Sequence, residues 1–536
     1  MIMQQDILDS NLINSKKAGG RFMSDSNSKV RPFGLRDKLG YMFGDFGNDF
    51  TFILSSMMLL KFYTDVMGVS AGIVSLMMMS ARFLDAFTDV TMGQIVDRCR
   101  PGKKGKFIQW IKYMSGPVAV ASFLMYASWF ANAPMGFKIF WMFFTYLLWG
   151  SVFYTSINIP YGSMASAISA ESKDRAQLSN WRTIGGALAG VVIGVVLPLI
   201  VYYEDSAGNQ ILSGPRMALA AGICSIASVI CYILCYTMMT ERVKVEQKTE
   251  KFNLKELGIS LVKNKALIGI VIASICMLLV QLTSTSMATY VFPNYFRNVT
   301  AQSVASLVGV VVTLICAGFT VKLSEKYGRK EISIAAAILG AVVYGIAYFI
   351  HTDNVWVFVA FYAIAYIGLA IFSLICWAMI TDVIDDTEVQ TGERSDGTIY
   401  SVYSFARKLG QAASAGVSGL LLTLIGYSQA TAFDTDVVNG IYDITCLVPA
   451  IGYILLAFAL IYFYPLNKKR VEENARVLAE KNHSKNDEAA KEFIQEKDNA
   501  DVNVNGVAAN NHGTEMAVKD AIVGGSSDEN VKNSEK

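Results

Sequence analysis

Two carboxylates stand four residues apart in SLMMMSARFLDAFTDVTMGQIVD (75–97), a segment whose other residues read as a membrane span. At that spacing Asp85 and Asp89 share one face of a helix. A charge at mid-bilayer costs roughly 2.5–3.5 kcal/mol on insertion scales, so a pair on one face needs compensation. Two ionised carboxylates this close repel in a low dielectric. Either one of them is protonated or a cation sits between them. The hydroxyl of Thr88 lies beside the pair. Oxygen ligands suit a hard monovalent cation and a carboxylate suits a proton, so the expected ion is H+ or Na+, with no other metal and no organic cofactor. Arg82, one turn earlier, is the counter-charge that would make the pair purely structural, but one guanidinium cannot neutralise two acids.

Other polar residues lie in apolar surroundings. The first span opens YMFGDFGNDFTF, where Asp45 and Asp49 again share a face. Asp45 is expected near the cytoplasmic end, where solvation is cheap, and Asp49 deeper, facing the interior. Gly44 and Gly47 permit close helix packing. The fourth span ends YTSINIPYGSM (154–164), where Pro160 frees backbone carbonyls and kinks the helix. Tyr154, Thr155, Asn158 and Tyr161 there suit hydroxyl-rich ligands. Arg182 is placed at the opening of the fifth span, after the polar stretch AESKDRAQLSNW. Lys408 lies within the eleventh, in YSVYSFARKLGQ, and needs an acid partner, for which Asp49, Asp85 and Asp89 are available. Trp110, Trp129, Trp141 and Trp356 read as interface anchors, and Trp149 and Trp377 as candidates for the interior.

The elements that must position these groups are helices. The chain has 536 residues, is 53% hydrophobic and 17% charged, and has a mean hydropathy of +0.39. Apolar runs long enough to span a bilayer, about 20 residues, recur about twelve times: 42–64, 72–97, 107–131, 137–160, 181–203, 216–238, 267–292, 302–322, 330–351, 355–381, 398–426 and 441–464. They are apolar all round, which fits helices better than a barrel. Basic residues crowd one set of loops (Arg98, Arg100, Lys103, Lys104 and Lys106; Arg242 to Lys265; Lys326, Arg329 and Lys330), while the opposite loops are nearly bare. This places both termini in the cytoplasm. The first 30 residues lack the apolar stretch of a cleavable signal. The eight cysteines are scattered singly and read as packing residues. Asn298-Val-Thr300 fits the glycosylation pattern, which is common by chance.

The longest polar interruption divides the chain into an N-terminal arm (1–38), a six-helix bundle (39–239), a cytoplasmic loop (240–266), a second six-helix bundle (267–466) and a disordered tail (467–536), helical just past Arg470. GQIVDRCRPGKK (93–104) and GFTVKLSEKYGRK (318–330) occupy the same place in each half. Such an echo suggests parallel six-helix repeats of major facilitator type.

Taken together, GDFGNDF (44–50), ARFLDAFTDVTMGQIVD (81–97), INIPYGSM (157–164) and TGERSDGTIYSVYSFARK (391–408) resemble the glycoside–pentoside–hexuronide:cation symporter family, in order across residues 38–465. The resemblance implies that Asp85 and Asp89 hold the coupling cation with Thr155 nearby, that Asp49 and Arg182 bind sugar, and that Lys408 belongs to the charge network. Thr88 stands where the family's melibiose-transporting members have Asn, and Asn158 where they have an acid. The first departure makes a proton at least as suitable as sodium, and the second points to the xyloside and glucuronide branches.

The expected function is therefore import of a glycoside, pentoside or hexuronide together with H+ or Na+ by alternating access, in a bacterial cytoplasmic membrane. The partners are the sugar and membrane lipid, with no nucleic acid and with the tail open to a regulatory protein. The alternatives are a transporter-like membrane sugar sensor and a lipid or drug carrier of the same superfamily. An enzyme is not expected, because the three histidines lie outside span interiors and no nucleophile–base pair is evident.

Overall fold

The structure, a computed structural model, describes residues 31–102, 104–243, 264–392, 394 and 396–481. The first 30 residues of the N-terminal arm, 244–263 of the central loop and the tail beyond 481 lie outside the described residues. Among the described residues the chain forms twelve long helices. In order they are α1 (Leu35–Asp65), α2 (Ala71–Arg98), α3 (Ile108–Met125), α4 (Met135–Ile168), α5 (Lys173–Val201), α6 (Gly214–Met238), α7 (Lys265–Tyr295), α8 (Val299–Tyr327), α9 (Arg329–Ile350), α10 (Val355–Thr391), α11 (Asp396–Leu424) and α12 (Thr435–Tyr462). A short antiparallel hairpin, β1 (Tyr202–Glu204) with β2 (Gln210–Leu212), joins α5 to α6.

Nine of these helices are long and apolar enough to cross a membrane. The other three, α1, α3 and α11, fall short of that combination. Two of them, α1 and α11, carry interior charges, Asp45, Asp49 and Lys61 on α1 and Arg407 and Lys408 on α11. Several helices outrun their apolar stretch. The polar run after Ser172 is helical rather than a loop, so Arg182 lies well inside α5 instead of opening it. Likewise α10 continues ten residues past the expected 381. Backbone hydrogen bonding continues where the side chains turn polar, and hydropathy registers only the lipid-facing part.

Local chemistry sets many ends. The Asn264 side chain accepts from the Leu267 N–H at 3.0 Å and caps α7. Asn298, the residue of the glycosylation pattern, accepts from the Ala301 N–H at 2.9 Å and caps α8. Glu241, just beyond α6, accepts from the backbone N–H groups of Lys106, Phe107 and Ile108 at 2.7–2.8 Å. It thereby ties the α2–α3 loop to the end of α6. Burial pushes its carboxyl above the ordinary range, although those three donors pull the other way.

The helices pack closely. α1 runs between α5 and α6, and α12 runs between α7 and α9. A Cβ at Gly47 would sit 3.1 Å from the Ser228 carbonyl oxygen, so the approach of α1 to α6 depends on that glycine. Ser228 Oγ donates back to the Gly47 carbonyl at 2.7 Å.

By contact density the chain divides into two compact units, Met1–Ile380 with Gly397–Pro465, and Thr381–Asp396 with Leu466–Lys536. The second unit is built on charge. Residues 468–481 form a helix, and the buried Asp386 accepts from Arg470 Nε at 2.9 Å and from Asn474 Nδ2 at 2.9 Å. The expected disorder of the tail thus does not begin at 467.

Within the first unit, a polar cluster joins the two six-helix halves at the end carrying the α1–α2 turn. Lys61 of α1 is 1% exposed. Its Nζ donates to Asn294 Oδ1 at 2.6 Å and to the Tyr427 hydroxyl at 2.7 Å, pairs with Asp65 at 2.8 Å, and lies 4.4 Å from the centre of the Tyr290 ring. Tyr427 in turn donates to Asp65 at 2.7 Å. Removing one partner of a buried ion pair costs about 3–5 kcal/mol because the other charge stays buried, whereas an apolar replacement of both can be neutral. Asp65→Asn should therefore lower the thermal stability of the purified protein by about that amount, and Lys61→Met with Asp65→Leu should recover most of it. Unchanged melting of Asp65→Asn in detergent would show that the pair does not hold this junction.

Candidate functional site

The acids of α2 meet α4 where α4 widens. Residues Leu148–Tyr154 form a π turn, a feature frequent at functional sites. The turn presents Ser151, whose Oγ donates to Asp85 Oδ1 at 2.6 Å. At the first residue beyond it, Thr155 Oγ1 donates to Asp89 Oδ1 at 2.9 Å. Each hydroxyl lies 66 residues after its acid, so the two i, i+4 pairs form a two-rung ladder between helices. Asp85 also accepts from Arg82 Nη1 at 3.3 Å, with both side chains about 10% exposed or less. Arg82 stacks over the Phe52 ring at 5.3 Å. Thr88 turns back to donate to the Asp85 carbonyl at 3.3 Å, so its hydroxyl serves the backbone rather than the carboxylates.

Lys408 comes from the other half. Its ammonium pairs with the second oxygen of Asp89 and donates to the Asp85 backbone carbonyl at 2.9 Å. Asp89 and Lys408 remain 25% and 20% exposed, in contrast to the deeply buried Asp85. The arrangement can gather oxygen ligands (both carboxylates, two hydroxyls and nearby carbonyls) around one small cation. At present an ammonium supplies that positive charge. Among the described residues no cluster of His, Cys, Asp or Glu fits a multivalent metal.

A second constellation lies on α1, α4 and α5. Arg182 Nε donates to Asp45 Oδ1 at 2.8 Å, and the guanidinium sits 5.4 Å over the Tyr161 ring. Asp45 is thus buried and ion-paired rather than solvated at a helix end, as its sequence position suggested. Asp49, one turn deeper and half-buried, makes no hydrogen bond or ion pair among the described residues. Gly186 of α5 faces both acids. A Cβ there would fall 2.6 Å from Asp49 Oδ2 and 3.2 Å from Asp45 Oδ2, so the glycine makes room for the two carboxylates to converge. Asn158 and Tyr154 are also half-buried, with no side-chain hydrogen bond among the described residues.

Other expected residues are placed differently. Tyr161 is fully buried, stacks on Tyr41 with ring centres 4.6 Å apart and donates to the Tyr41 carbonyl at 2.6 Å. Its hydroxyl is engaged, which leaves the ring as a platform for Arg182. Trp149 is fully buried beside Tyr146 and Tyr154 and is a packing residue. Trp377 is 49% exposed, with its ring against Tyr403. Ser151, Gly186, the Asp45–Arg182 pairing and the Lys61 cluster are hardly marked in the sequence. The shared i, i+4 spacing of Asp45/Asp49 and Arg182/Gly186 was the one available signal.

Against known proteins, residues 40–468 match the family of MFS/sugar transport proteins. The chain is 31% identical to an uncharacterised symporter, YjmB, of Bacillus subtilis (strain 168), over 81% of this chain and 93% of that one. It is 30% identical to a glucuronide carrier protein homolog of Escherichia coli (strain K12), over 82% and 94%. Among solved structures, the inward-open xylose transporter XylE from E. coli aligns with a TM-score of 0.56 at 13% identity, over 83% of this chain and 98% of that one. The chain belongs to the MFS sugar-transport family, in its glycoside–pentoside–hexuronide:cation symporter branch. It is an integral membrane sugar transporter, and its relatives and structural neighbours are transporters rather than enzymes.

The Gly186 contact generates a prediction. Gly186→Ala places a methyl group against Asp49 and should swing that carboxylate away. On the expectation that Asp49 binds sugar, affinity should fall about tenfold, the equivalent of about 1.4 kcal/mol, with the folded protein otherwise intact. Titration of sugar binding to the purified variant checks this, and an unchanged affinity would remove Asp49 from the binding face.

Proposed function

We propose that the protein is a secondary active symporter that imports a sugar together with H+ or Na+, by alternating access of its two six-helix halves. The carrying observation is the Lys408–Asp89 bridge. It crosses from one half to the other at the acids best built to take a cation. A proton on Asp89, or Na+ among the oxygens of Asp85, Asp89, Ser151 and Thr155, competes with the Lys408 ammonium for the same negative charge. Ion arrival therefore weakens a tie between the halves, and departure restores it. This links ion occupancy to the relative motion of the halves.

Sugar binds on the adjoining face of α1, α4 and α5. Asp49, Asn158 and Tyr154 offer unengaged acceptors and donors there, and Arg182 over Tyr161 offers a fixed donor fork. The named substrates of relatives, a glucuronide and, for a 26% identical relative, isoprimeverose, support a sugar as cargo. The crowding of basic residues into alternate loops supports cytoplasmic termini, and the relatives in B. subtilis and E. coli support a bacterial cytoplasmic membrane. The tail beyond 481 is where a regulatory protein would act. An inward ion gradient supplies about 2.3 kcal/mol per charge for each 100 mV.

Asp85→Asn and Asp89→Asn should each insert normally yet fail to accumulate sugar against its gradient in energised vesicles. Sugar exchange without a gradient should persist. Normal uphill uptake by either variant refutes the assignment. The same assay with and without sodium, and across pH, identifies the ion.

A further inference from the structure

We infer that the sugar site selects uncharged glycosides and rejects hexuronides and sulfonated sugars, because on its face, among the described residues, one cation already bonds one acid and a second carboxylate is left over. This inference rests on the reading that the α1–α4–α5 face binds sugar, and narrows it to a substrate class.

Opposite charges in the interior pair off. Asp85 pairs with Arg82, Asp89 with Lys408 and Asp45 with Arg182. Arg407 of α11 lies 6.0 Å from the ring centres of both Trp377 and Tyr403. On the α1–α5 face Asp49 is the acid with no bonded cation among the described residues. Its Oδ2 and that of Asp45 converge on the hollow at Gly186, so the Arg182 guanidinium serves two carboxylates. It is bonded to Asp45 and has 40% of its side chain exposed.

An uncharged sugar suits this arrangement. Adjacent hydroxyls donate to the free oxygens of Asp49, and ring or hydroxyl oxygens accept from the open N–H groups of Arg182. A carboxylate or sulfonate on the sugar finds no unmatched cation among the described residues of this face. At the open N–H groups of Arg182 it would share one guanidinium with Asp45 beside Asp49, three acids to a single cation. It also approaches Asp49 at short range in a low dielectric. The surplus acid thus acts as a filter that favours one charge class by repelling the other.

The test uses matched pairs that differ only at C6. They are p-nitrophenyl β-D-glucoside with p-nitrophenyl β-D-glucuronide, and the corresponding galactoside with its galacturonide. Binding to the purified full-length protein is measured by titration and by thermal stabilisation. In the native chain the uncharged member of a pair should bind at least tenfold more tightly. Asp49→Asn should narrow that gap to about threefold or less, mainly by gaining affinity for the uronide. Asp45→Asn with Asp49→Asn frees Arg182 and should reverse the preference. A uronide that binds the native chain as tightly as its neutral partner overturns the inference, as does a ratio that Asp49→Asn leaves unchanged in a variant that elutes as a folded monodisperse peak. If no member of either pair binds, and a pentoside, p-nitrophenyl β-D-xyloside, does not bind either, the sugar reading of this face fails together with the inference.

Discussion

A charge buried among packed helices is costly unless it is matched, and in this protein several of the matches double as joints. Asp45–Arg182 fastens α1 to α5, and Asp89–Lys408 fastens one half to the other. Lys61, fully buried, fastens the halves again at one end through Asp65, Asn294 and Tyr427. An isolated ion in this setting costs several kcal/mol. The helices therefore settle where these ions meet their partners, and an event that neutralises one member changes which packing is favoured.

The interior charges differ in how open they are. Asp85 is sealed by Ser151 and Arg82, while Asp89 keeps a quarter of its side chain exposed. This inequality lets two chemically identical residues take different parts. In the proposed cycle the sealed acid fixes the geometry of the ladder, and the open one exchanges its counter-ion. Thr155, bonded to Asp89 and to the Gly150 carbonyl, ties that open acid to the widened turn of α4.

Much of this was legible in the amino-acid sequence. Twelve apolar runs gave the helices, because a bilayer demands a known length of apolar residues. The i, i+4 spacing of Asp85 and Asp89 gave their common face, and a lysine deep in an apolar run required an acid, which proved to be Asp89. What was not legible depends on contacts between distant segments. Asp45 looked solvated because a sequence does not say which residue of another helix will lie opposite, and Arg182 looked terminal because hydropathy ends before the helix does. Thr88 reads as a ligand by adjacency; its proton goes to its own backbone, as a helical threonine's readily does, while its oxygen keeps lone pairs to offer. Ser151 was invisible because an irregular turn sets its direction.

That turn has an evolutionary consequence. A π turn absorbs one residue more than the α-helical turn it replaces within a single sweep of the helix. Deleting a single codon within 148–154 would therefore regularise α4 and leave Thr155, Asn158 and Tyr161 near their present azimuth, while Ser151 would lose its aim at Asp85. Gain or loss of one residue here is thus a route by which descendants of this chain would change the surroundings of one acid and leave the rest of the helix in place.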